Sequence, residues 1–252
     1  MKISIITVCY NSASTINATI ESVLSQTYSD IDYIVIDGKS NDDTVSIIKE
    51  YEPKFKGRMK WISEPDNGLY DAMNKGILIS SGEIIGILNS DDVYYDNNVI
   101  KDVVVQLKKC DTDTLYGNIE FVKQDDTDTV VRKWVSSPFL AGSFRKGWHP
   151  PHPSFFVKKI LYEQYGMFDT SYDVSADFEL MLRLLEKNKV STIYYNRLIV
   201  KMRMGGESTG SLKNIIIGNI GVLRAFKKNG ISISYLYPFY KITPKIIQFL
   251  KK

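Results

Sequence analysis

Two adjacent carboxylates follow an apolar run in the stretch ILNSDD, which covers residues 87–92. Asp91 and Asp92 repel each other when both are ionised, so the pair needs solvent or a positive partner nearby. A divalent metal ion is one such partner, because Mg²⁺ and Mn²⁺ prefer oxygen ligands and often bridge carboxylates to substrate phosphates. A solvated turn is the alternative, and the rest of the sequence has to decide between them.

Three further apolar runs also end in polar residues. Short β-branched runs predict buried strands at residues 2–10, 31–37, 58–63 and 83–89. The polar residues at their ends are Tyr10 and Asn11, Asp37 to Ser40, Glu64 to Gly68, and Asn89 to Asp92. Amphipathic segments between the strands predict helices, so the expected fold class is α/β, with a mostly parallel sheet flanked by helices. Ligands of such sheets bind beyond the carboxyl ends of the strands, and four converging polar ends favour a site over four unrelated turns.

Glycine-rich phosphate cradles are absent from the sequence. Neither G-x-G-x-x-G nor G-x-x-x-x-G-K-[ST] occurs. The charge of a phosphorylated ligand would therefore have to be met by a metal ion and by cationic side chains. Paired aspartates at a strand end suit Mg²⁺ or Mn²⁺ in that role.

The overall composition is that of a globular protein in a reducing compartment. The chain has 252 residues, of which 44% are hydrophobic and 24% charged, enough for one large domain with or without an appendage. The start of the chain lacks a signal-peptide cleavage pattern, and no apolar run approaches the roughly 18 residues of a membrane span. Two cysteines do not suggest a disulfide framework. These features predict a cytoplasmic protein.

The net charge of +3 hides an uneven distribution along the chain. Residues 212–252 contain seven Lys and one Arg and no acidic residue, whereas the remaining residues carry a net charge of −5. The split predicts an acidic catalytic domain over residues 1–210 and a basic, aromatic-rich helical extension over residues 211–252. Such an extension favours an anionic membrane surface, with packing on the domain or in a homodimer as the alternative. No nucleic-acid recognition motif accompanies the charge.

Four segments carry a resemblance to a known family. They are SIITVCYNSASTINATIESVLSQTY, IVIDGKSNDDT, SEPDNGLYDAMNKGI and GEIIGILNSDD, in this order. Over residues 2–210 the chain resembles glycosyltransferase family 2, with its GT-A fold, and within it the bacterial O-antigen and capsule enzymes. The resemblance implies an inverting, metal-dependent transfer of a sugar from a nucleotide donor, usually a UDP-sugar. It also implies a saccharide acceptor that is lipid-linked.

The resemblance assigns the donor site residue by residue. It places Thr7 and Asp37 at the uracil, Tyr10 and Asn11 beside it, Asp91 at the ribose and Asp92 at the metal. The chain departs from the family pattern at Asn89, where the family usually has Asp, and Asn89 is therefore not assigned to the metal. Met73 stands where the family has an arginine, so Lys75 or Lys39 would supply the missing cationic contact.

The segment 69–80 predicts a helix that begins directly after the turn PDNG. Asp71, Asn74 and Lys75 are three or four residues apart and therefore share one face of this helix. One interpretation is a polar stripe that faces the donor sugar. The other is an ordinary exposed ion pair between Asp71 and Lys75, and the position after the turn favours the donor site.

The stretch SADFELMLRLL resembles the family segment that carries the catalytic base, with Ala176 in place of the usual Glu and Asp177 matching the Asp. An inverting transfer is a single displacement, in which a positioned carboxylate takes the proton of the attacking hydroxyl. Asp177 is therefore predicted as the base, with Glu179 as the second choice. A purely electrostatic role of Asp177 at a helix N-terminus is the alternative.

Two irregular stretches are candidates for the acceptor side. His149 and His152 flank two prolines and lack the further ligands of a zinc site. His152 either lines the acceptor pocket or is a solvated side chain on a rigid loop. The stretch MRMGGES, residues 202–208, predicts a mobile lid from which Arg203 reaches a phosphate, with a plain flexible turn as the alternative.

Two other functions stay open. A nucleotidyltransferase that makes a nucleotide-sugar would share the sheet and the metal. It needs a glycine-rich loop with Arg or Lys after the first strand, where this chain has YNSAST. A non-catalytic subunit that binds a sugar-nucleotide would not need the full set of acids. The favoured prediction is a transferase of surface-polysaccharide synthesis, peripheral at the inner face of the cell membrane.

Overall fold

The short β-branched runs form strands, and the amphipathic segments between them form helices. The computed structural model describes residues 1–205, 212–234 and 237, except the side chains of residues 212 and 215. The strands are β1 (Ile3–Cys9), β2 (Ile31–Asp37), β3 (Met59–Ser63), β4 (Ile84–Ile87), β5 (Val93–Tyr94), β6 (Thr114–Val122), β7 (Val130–Trp134), β8 (Phe156–Lys158) and β9 (Thr192–Arg203). The helices are α1 (Ile16–Leu24), α2 (Thr44–Tyr51), α3 (Leu69–Ile79), α4 (Val99–Cys110), α5 (Lys159–Tyr165), α6 (Ala176–Met181) and α7 (Leu212–Lys228). A π-helical stretch, Leu182–Lys187, continues α6.

These strands form one sheet in the order β3-β2-β1-β4-β8-β6-β9-β5, with β7 paired to β6. The first four strands are parallel, and β1 pairs residue for residue with β2 from Ile3 and Ile31 to Cys9 and Asp37. The carboxyl ends of β1 and β2 therefore lie side by side. The α/β class and the parallel half are as predicted, whereas β8 joins β4 and β6 antiparallel and begins a mixed half.

Each face of the sheet carries its own hydrophobic core. Alternate residues of β1 point to opposite faces, as the two-residue period of a strand requires. Ile3 and Ile5 pack with α1, α2 and α4, whereas Ile6 and Val8 pack with α3, α5 and α6. Both faces are therefore covered, which explains why every residue of β1 and β2 is buried.

The predicted basic extension does not stand apart where the structure describes it. Val222, Ala225 and Phe226 of α7 are buried in the same core as α6, because apolar residues three or four apart form one face of the helix. The Phe226 ring lies 5.6 Å from the Phe178 ring and 5.1 Å from the Tyr237 ring. A separate extension is thus not supported for residues 212–234. The boundary at residue 210 and the segment 238–252 lie outside the described residues and stay predictions.

No helix among the residues that the structure describes is long and apolar enough to cross a membrane.

Candidate active site

The end of β2 is tied to the ends of both neighbouring strands through Asp37. Its buried carboxylate accepts hydrogen bonds from the Ser63 hydroxyl at 2.6 Å and from the Ser40 backbone N–H at 3.1 Å. The Ser40 hydroxyl donates to Asp37 at 2.5 Å and accepts from the Asn11 backbone N–H at 2.8 Å. Asp37 therefore fixes the loops after β1, β2 and β3 next to one another, where the sequence predicts the uracil site.

The loops at this edge leave one aromatic ring exposed. Tyr10 directly follows β1, and 62% of its surface is accessible. A Cβ atom on Gly38 would lie 2.6 Å from Asp66 Oδ2 and 3.4 Å from the Tyr10 ring, so only glycine fits without displacing them. Asn11 and Lys39 adopt the left-handed backbone conformation, with φ of 49° and 63°, which turns both loops sharply. Tyr10, Asn11 and Lys39 therefore meet at the predicted edge.

The two adjacent acids that follow β4 have different surroundings. Asp92 is fully buried, and its carboxylate accepts hydrogen bonds from the Arg203 backbone N–H at 3.3 Å and from the Asn89 side chain at 3.5 Å. Burial, and then the neighbouring Asp91, raises the pKa of Asp92 well above its usual range. Asp91 is half-buried, and burial raises its pKa, opposed by the charges of Arg203 and His152. Asp91 is thus the more accessible carboxylate of the pair.

Arg203 is part of the framework of this acid pair. It is the last residue of β9, is buried, and donates from Nη1 to the Gln124 carbonyl at 2.7 Å. Its charge faces Asp91 and Asp92, so it supplies part of the positive partner that the two acids need. The structure therefore does not support a mobile position for Arg203 itself, because a strand and a buried guanidinium hold it. The remainder of the predicted lid, residues 206–208, lies outside the described residues.

The acid pair fits a divalent ion that takes most of its ligands from a substrate. Among residues 1–205, 212–234 and 237, no three His, Cys, Asp or Glu side chains form a group that holds a metal by itself. Mg²⁺ sites are often built from one or two carboxylates, substrate phosphates and water, and Asp91 and Asp92 provide that minimum. The buried Asn89 Oδ1 has no hydrogen-bond partner among the described atoms and offers one more oxygen beside Asp92.

Asp177 is oriented on both carboxylate oxygens and still reaches solvent. The Tyr70 hydroxyl donates to its Oδ1 at 3.3 Å, and His152 Nδ1 lies 3.3 Å from its Oδ2. Its side chain is 26% exposed. Burial, and then the charge of Asp177, raises the pKa of Tyr70 well above its usual range, so the hydroxyl stays a proton donor. An accessible carboxylate with fixed orientation is what general-base catalysis requires.

His152 is held in place by the middle of β6. The 3-10 turn His152–Ser154 follows two prolines, whose fixed φ angles restrict the loop. The Ser154 hydroxyl donates to the Gly117 carbonyl at 3.0 Å, and the Gly117 backbone N–H donates back to it at 3.3 Å. The imidazole therefore contacts Asp177, and its protonated form also lowers the pKa of Asp91. His152 therefore lies beside the candidate base, and its place in an acceptor pocket stays a prediction.

The turn that carries Asp177 rests on helix α7. Ser175 precedes α6 in the left-handed conformation with φ of 82°, and its backbone N–H donates to the Tyr70 hydroxyl at 3.1 Å. The Ser175 hydroxyl donates to the Gly218 carbonyl of α7 at 3.0 Å. A Cβ atom on Gly221 would lie 2.9 Å from the Val174 carbonyl oxygen, so the helix approaches the turn closely. The sequence predicted a helical extension here but gave neither it nor Tyr70 a role at the site, although the tyrosine closely follows the DNG turn.

Two of the residues predicted to bind the donor nucleotide-sugar make hydrogen bonds within the protein instead. Thr7 is fully buried in β1, and its hydroxyl accepts a hydrogen bond from Tyr33 at 3.1 Å. Asn74 uses both ends of its amide on Phe168, accepting from its N–H at 3.0 Å and donating to its carbonyl at 2.9 Å. Neither side chain is presented at the edge where Tyr10 and Asp37 lie.

Asp71 and Lys75 brace the loop between β3 and α3. Asp71 accepts from the Asn67 backbone N–H at 3.0 Å. Lys75 Nζ lies 2.8 Å from a Glu64 carboxylate oxygen, 3.8 Å from Asp71 Oδ2 and 2.8 Å from the Pro65 carbonyl oxygen. The ion pair that the sequence offered as the alternative to a donor-facing stripe is therefore present. Contact of these two side chains with a donor stays a prediction.

Glu179 does not reach the site. Its side chain is fully buried, accepts from Arg183 Nη2 at 2.9 Å, and accepts from Asn229 Nδ2 at 3.0 Å. Arg183 also donates to the carbonyls of Tyr165, Gly166 and Met167. A carboxylate two residues from Asp177 points elsewhere on the helix, and here it joins α6 to the end of α7. The geometry gives no support to Glu179 as an alternative base or acceptor residue.

Comparison with known proteins identifies the family. The family profile described as Glycosyl transferase family 2 matches residues 4–165. The chain belongs to glycosyltransferase family 2. It is 34% identical over 184 residues to an uncharacterized glycosyltransferase of Mycobacterium tuberculosis, covering 72% of this chain and 68% of that protein. A PGL/p-HBAD biosynthesis glycosyltransferase of Mycobacterium bovis is 24% identical over 249 residues, covering 97% of this chain and 91% of the relative.

Solved structures place this family 2 glycosyltransferase among GT-A folds. S. aureus TarS 1-349 superimposes with a TM-score of 0.69 at 16% identity, over 99% of this chain and 71% of TarS. The mannosyltransferase PcManGT of Pyrobaculum calidifontis, in complex with GDP-Man and Mn²⁺, gives a TM-score of 0.63 at 18% identity over 97% of this chain and 73% of that protein. The predicted family and fold are confirmed, and the enzyme is a nucleotide-sugar-dependent transferase.

Proposed function

We propose that this glycosyltransferase moves a sugar from a UDP-sugar to a hydroxyl of a saccharide acceptor, with inversion at the anomeric carbon. The observation that carries the proposal is the Asp177 carboxylate, which Tyr70 and His152 orient while a quarter of it stays open to solvent. A single displacement needs one base on the acceptor side and none on the donor side. Asp177 fits that role, since its carboxylate is oriented and accessible, and its neighbour His152 also acts on the pKa of Asp91, which follows β4.

The donor nucleotide would bind along the edge formed by β1, β2 and β4. The exposed Tyr10 ring offers a stacking surface for the base beside the Asn11–Asp37 loops, and Lys39 adds a positive charge there. Asp91 would contact the ribose or the metal from its half-buried position. TarS has been solved with UDP and with UDP-GlcNAc, and these ligands of a structural neighbour support a nucleotide-sugar for this chain.

Asp91 and Asp92, with Asn89 beside them, are the residues that would hold Mn²⁺ or Mg²⁺. When bound, the ion would neutralise the charge that develops on the leaving nucleoside diphosphate. The neighbour PcManGT was solved with Mn²⁺, which supports a divalent ion but leaves the choice of metal open. Arg203 would add a fixed positive charge behind the acid pair.

The acceptor side would be formed by His152, Asp177 and the turn before α6. Asp177 takes the proton of the acceptor hydroxyl as the oxygen attacks the anomeric carbon, and Tyr70 keeps the carboxylate aimed at that oxygen. The acceptor we propose is a lipid-linked saccharide of bacterial surface-polysaccharide synthesis, met at the cytoplasmic face of the membrane. The family resemblance and the basic composition of residues 212–252 support this setting.

Asp177→Asn tests the proposal directly. The substitution keeps the hydrogen bond from Tyr70 but removes the base, so transfer should fall by about a thousandfold while UDP binding, measured by calorimetry, stays unchanged. Asp30→Asn, an equivalent change at the exposed opposite edge of the sheet, should leave both properties intact.

Three outcomes would contradict the proposal. Normal transfer by Asp177→Asn would remove Asp177 as the base. Release of pyrophosphate from UTP and a sugar phosphate would assign the chain to the nucleotidyltransferases. An anomeric product of unchanged configuration, read by NMR, would exclude the single displacement.

A further inference from the structure

Helix α7 exposes a stripe of aliphatic side chains. Ile216, Ile220 and Leu223 are 60%, 59% and 45% exposed, and their spacing of four and three residues places them on one face. The opposite face of the same helix is buried in the protein core. An amphipathic helix needs only one apolar face to pack on its domain, so the second apolar stripe has no role in the fold that the structure describes.

The helix is fixed, so the stripe has a defined direction. Lys228 Nζ lies 2.5 Å from Asp169 Oδ2, and the Arg224 guanidinium donates to the Ser171 hydroxyl at 2.8 Å. The Ser175 hydroxyl holds the Gly218 carbonyl near the other end of the helix. These contacts lie on the side of α7 that faces the domain, and together with the buried Phe226 they turn the aliphatic stripe outward.

Basic residues stand at both ends of the stripe. Lys213 and Lys227 are exposed and lie about 21 Å apart along the helix axis, from the 1.5 Å rise per residue. The stretch 212–252 contains seven Lys and one Arg and no acidic residue. Lys213 and Lys227 therefore place positive charge beside the apolar stripe, which favours a negatively charged partner.

We propose that the stripe of Ile216, Ile220 and Leu223 lies on an anionic lipid bilayer, with Lys213 and Lys227 at the headgroups. An anionic bilayer can bury the aliphatic side chains and attract the positive charge at the same time. A second copy meeting the same face would bring the lysines of both copies together, and a nucleic acid would leave the aliphatic side chains without a partner. The inference rests on the proposed function for its membrane-bound acceptor, but the surface itself can be tested without any substrate.

The test compares two double variants of the full chain in vesicle co-sedimentation. Ile220→Glu with Leu223→Glu adds two negative charges to the stripe, and Leu78→Glu with Ile160→Glu adds the same charge at exposed aliphatic positions elsewhere. The unaltered protein should bind vesicles that contain phosphatidylglycerol and release them at high salt, and it should bind pure phosphatidylcholine weakly. The stripe variant should lose roughly tenfold or more in partition, whereas the control should lose far less. Transfer to a water-soluble acceptor analogue should be equal in all three proteins.

Several results would overturn the inference. Equal binding by the stripe variant and the unaltered protein would assign membrane contact to another segment. Absence of binding by the unaltered protein would remove the membrane from this face. A change from dimer to monomer in the stripe variant, without a change in vesicle binding, would identify a second copy as the occupant. Vesicle binding as expected, but without any transfer by the unaltered protein, would instead count against the proposed function alone.

Discussion

At the scale of single residues, the site depends on how three acids are treated differently by their surroundings. Asp37 is buried and fully hydrogen-bonded, so it organises loops. Asp92 is buried beside another acid, which makes its ionised form costly without a cation. Asp177 is oriented but open. The same side chain therefore serves as a brace, as a candidate ligand and as a candidate base, according to its neighbours.

The two side chains that contact the Asp177 carboxylate should affect turnover and not the binding of the donor nucleotide. Tyr70→Phe and His152→Gln each remove one contact from the carboxylate, and each should lower kcat about tenfold, the equivalent of roughly 1.5 kcal/mol for a hydrogen bond to a charged group. The measurement is steady-state transfer, with UDP affinity as the second reading. Tyr28→Phe removes a hydroxyl that donates to the Met1 carbonyl and is the matched control. A rise in KM with unchanged kcat would assign both residues to substrate binding instead.

The substitution Asp92→Asn should separate stability from activity. The folded-state pKa of Asp92 lies above its ordinary value, so the stability of the metal-free protein falls as pH rises from the ordinary value through the folded pKa. The neutral amide of the variant carries no such penalty. The variant should therefore melt at a higher temperature than the unaltered protein at neutral pH without metal, and the difference should vanish below the ordinary pKa.

Transfer by the Asp92→Asn variant should be lost, and a chelator should abolish transfer by the unaltered enzyme. Melting is followed by circular dichroism in chelator and again with Mn²⁺. A lower melting temperature of the variant in chelator would contradict the view that the ionised Asp92 carboxylate destabilises the protein when no cation is bound.

At the scale of elements, the strands and the parallel half of the sheet were predictable, because their short apolar runs of four to seven residues are typical of buried strands. The insertion of β8 between β4 and β6 was not predictable, since a strand of three residues after a proline loop has almost no pattern. The apolar spacing of residues 176–188 is typical of one continuous α-helix, but the structure changes to a π-helical stretch at Leu182. Periodicity finds an element but does not resolve how its last turns wind.

In the candidate site, too, some residues could be located from the sequence and others could not. Strand ends located Tyr10, Asp37 and Asp91, because the carboxyl edge of a parallel sheet is a property of topology. Asn74 and Glu179 instead form hydrogen bonds within the fold, to Phe168 and Asn229, which lie far away in sequence. Such long-range pairs decide which polar side chain is available to a ligand, and one sequence does not reveal them.

The close approach of α7 to the Asp177 turn should be sensitive to a single methyl group. Gly221→Ala places a Cβ 2.9 Å from the Val174 carbonyl oxygen, which should cost about 1 to 3 kcal/mol by overpacking, offset in part by about 1 kcal/mol of helix propensity. The displaced turn should also lower kcat by about tenfold or more, with unchanged UDP affinity.

Gly218→Ala is the matched control for that variant. Its Cβ would lie 3.5 Å from the Ser175 hydroxyl, an ordinary contact, so stability should rise by up to about 1 kcal/mol. Thermal melting and kcat are measured for both. Equal behaviour of the two variants would mean that α7 does not support the turn.

At the scale of the whole molecule, the two hydrophobic cores support different parts of the candidate site. The core with α1, α2 and α4 supports the loops of the nucleotide side, and the core with α3, α6 and α7 supports Asp177. Tyr70 joins α3 to Asp177 within the second core, and the Arg203 backbone N–H joins the end of β9 to Asp92. The site is therefore assembled only when both faces of the sheet are covered.

A chain that ends at residue 210 should not keep the fold. It would lose the buried side chains of Val222, Ala225 and Phe226, worth about 5 kcal/mol by burial, against a total stability of roughly 5 to 15 kcal/mol for a typical domain. A chain that ends at residue 237 keeps these contacts and should melt cooperatively near the full-length protein. Circular dichroism melting of both chains makes the comparison. A stable 1–210 fragment would restore the separate extension that the sequence predicted.

The order of the site residues along the chain has a consequence for how such enzymes diversify. The residues proposed for the nucleotide side lie between Tyr10 and Asp92, and those proposed for the acceptor side begin at His152. One recombination event between them would join the donor preference of one relative to the acceptor preference of another. The hybrid would work only where Tyr70 still meets the incoming aspartate turn and the incoming β9 still covers Asp92. The donor and acceptor halves therefore have to be compatible at these two contacts, between Tyr70 and the Asp177 turn and between β9 and Asp92.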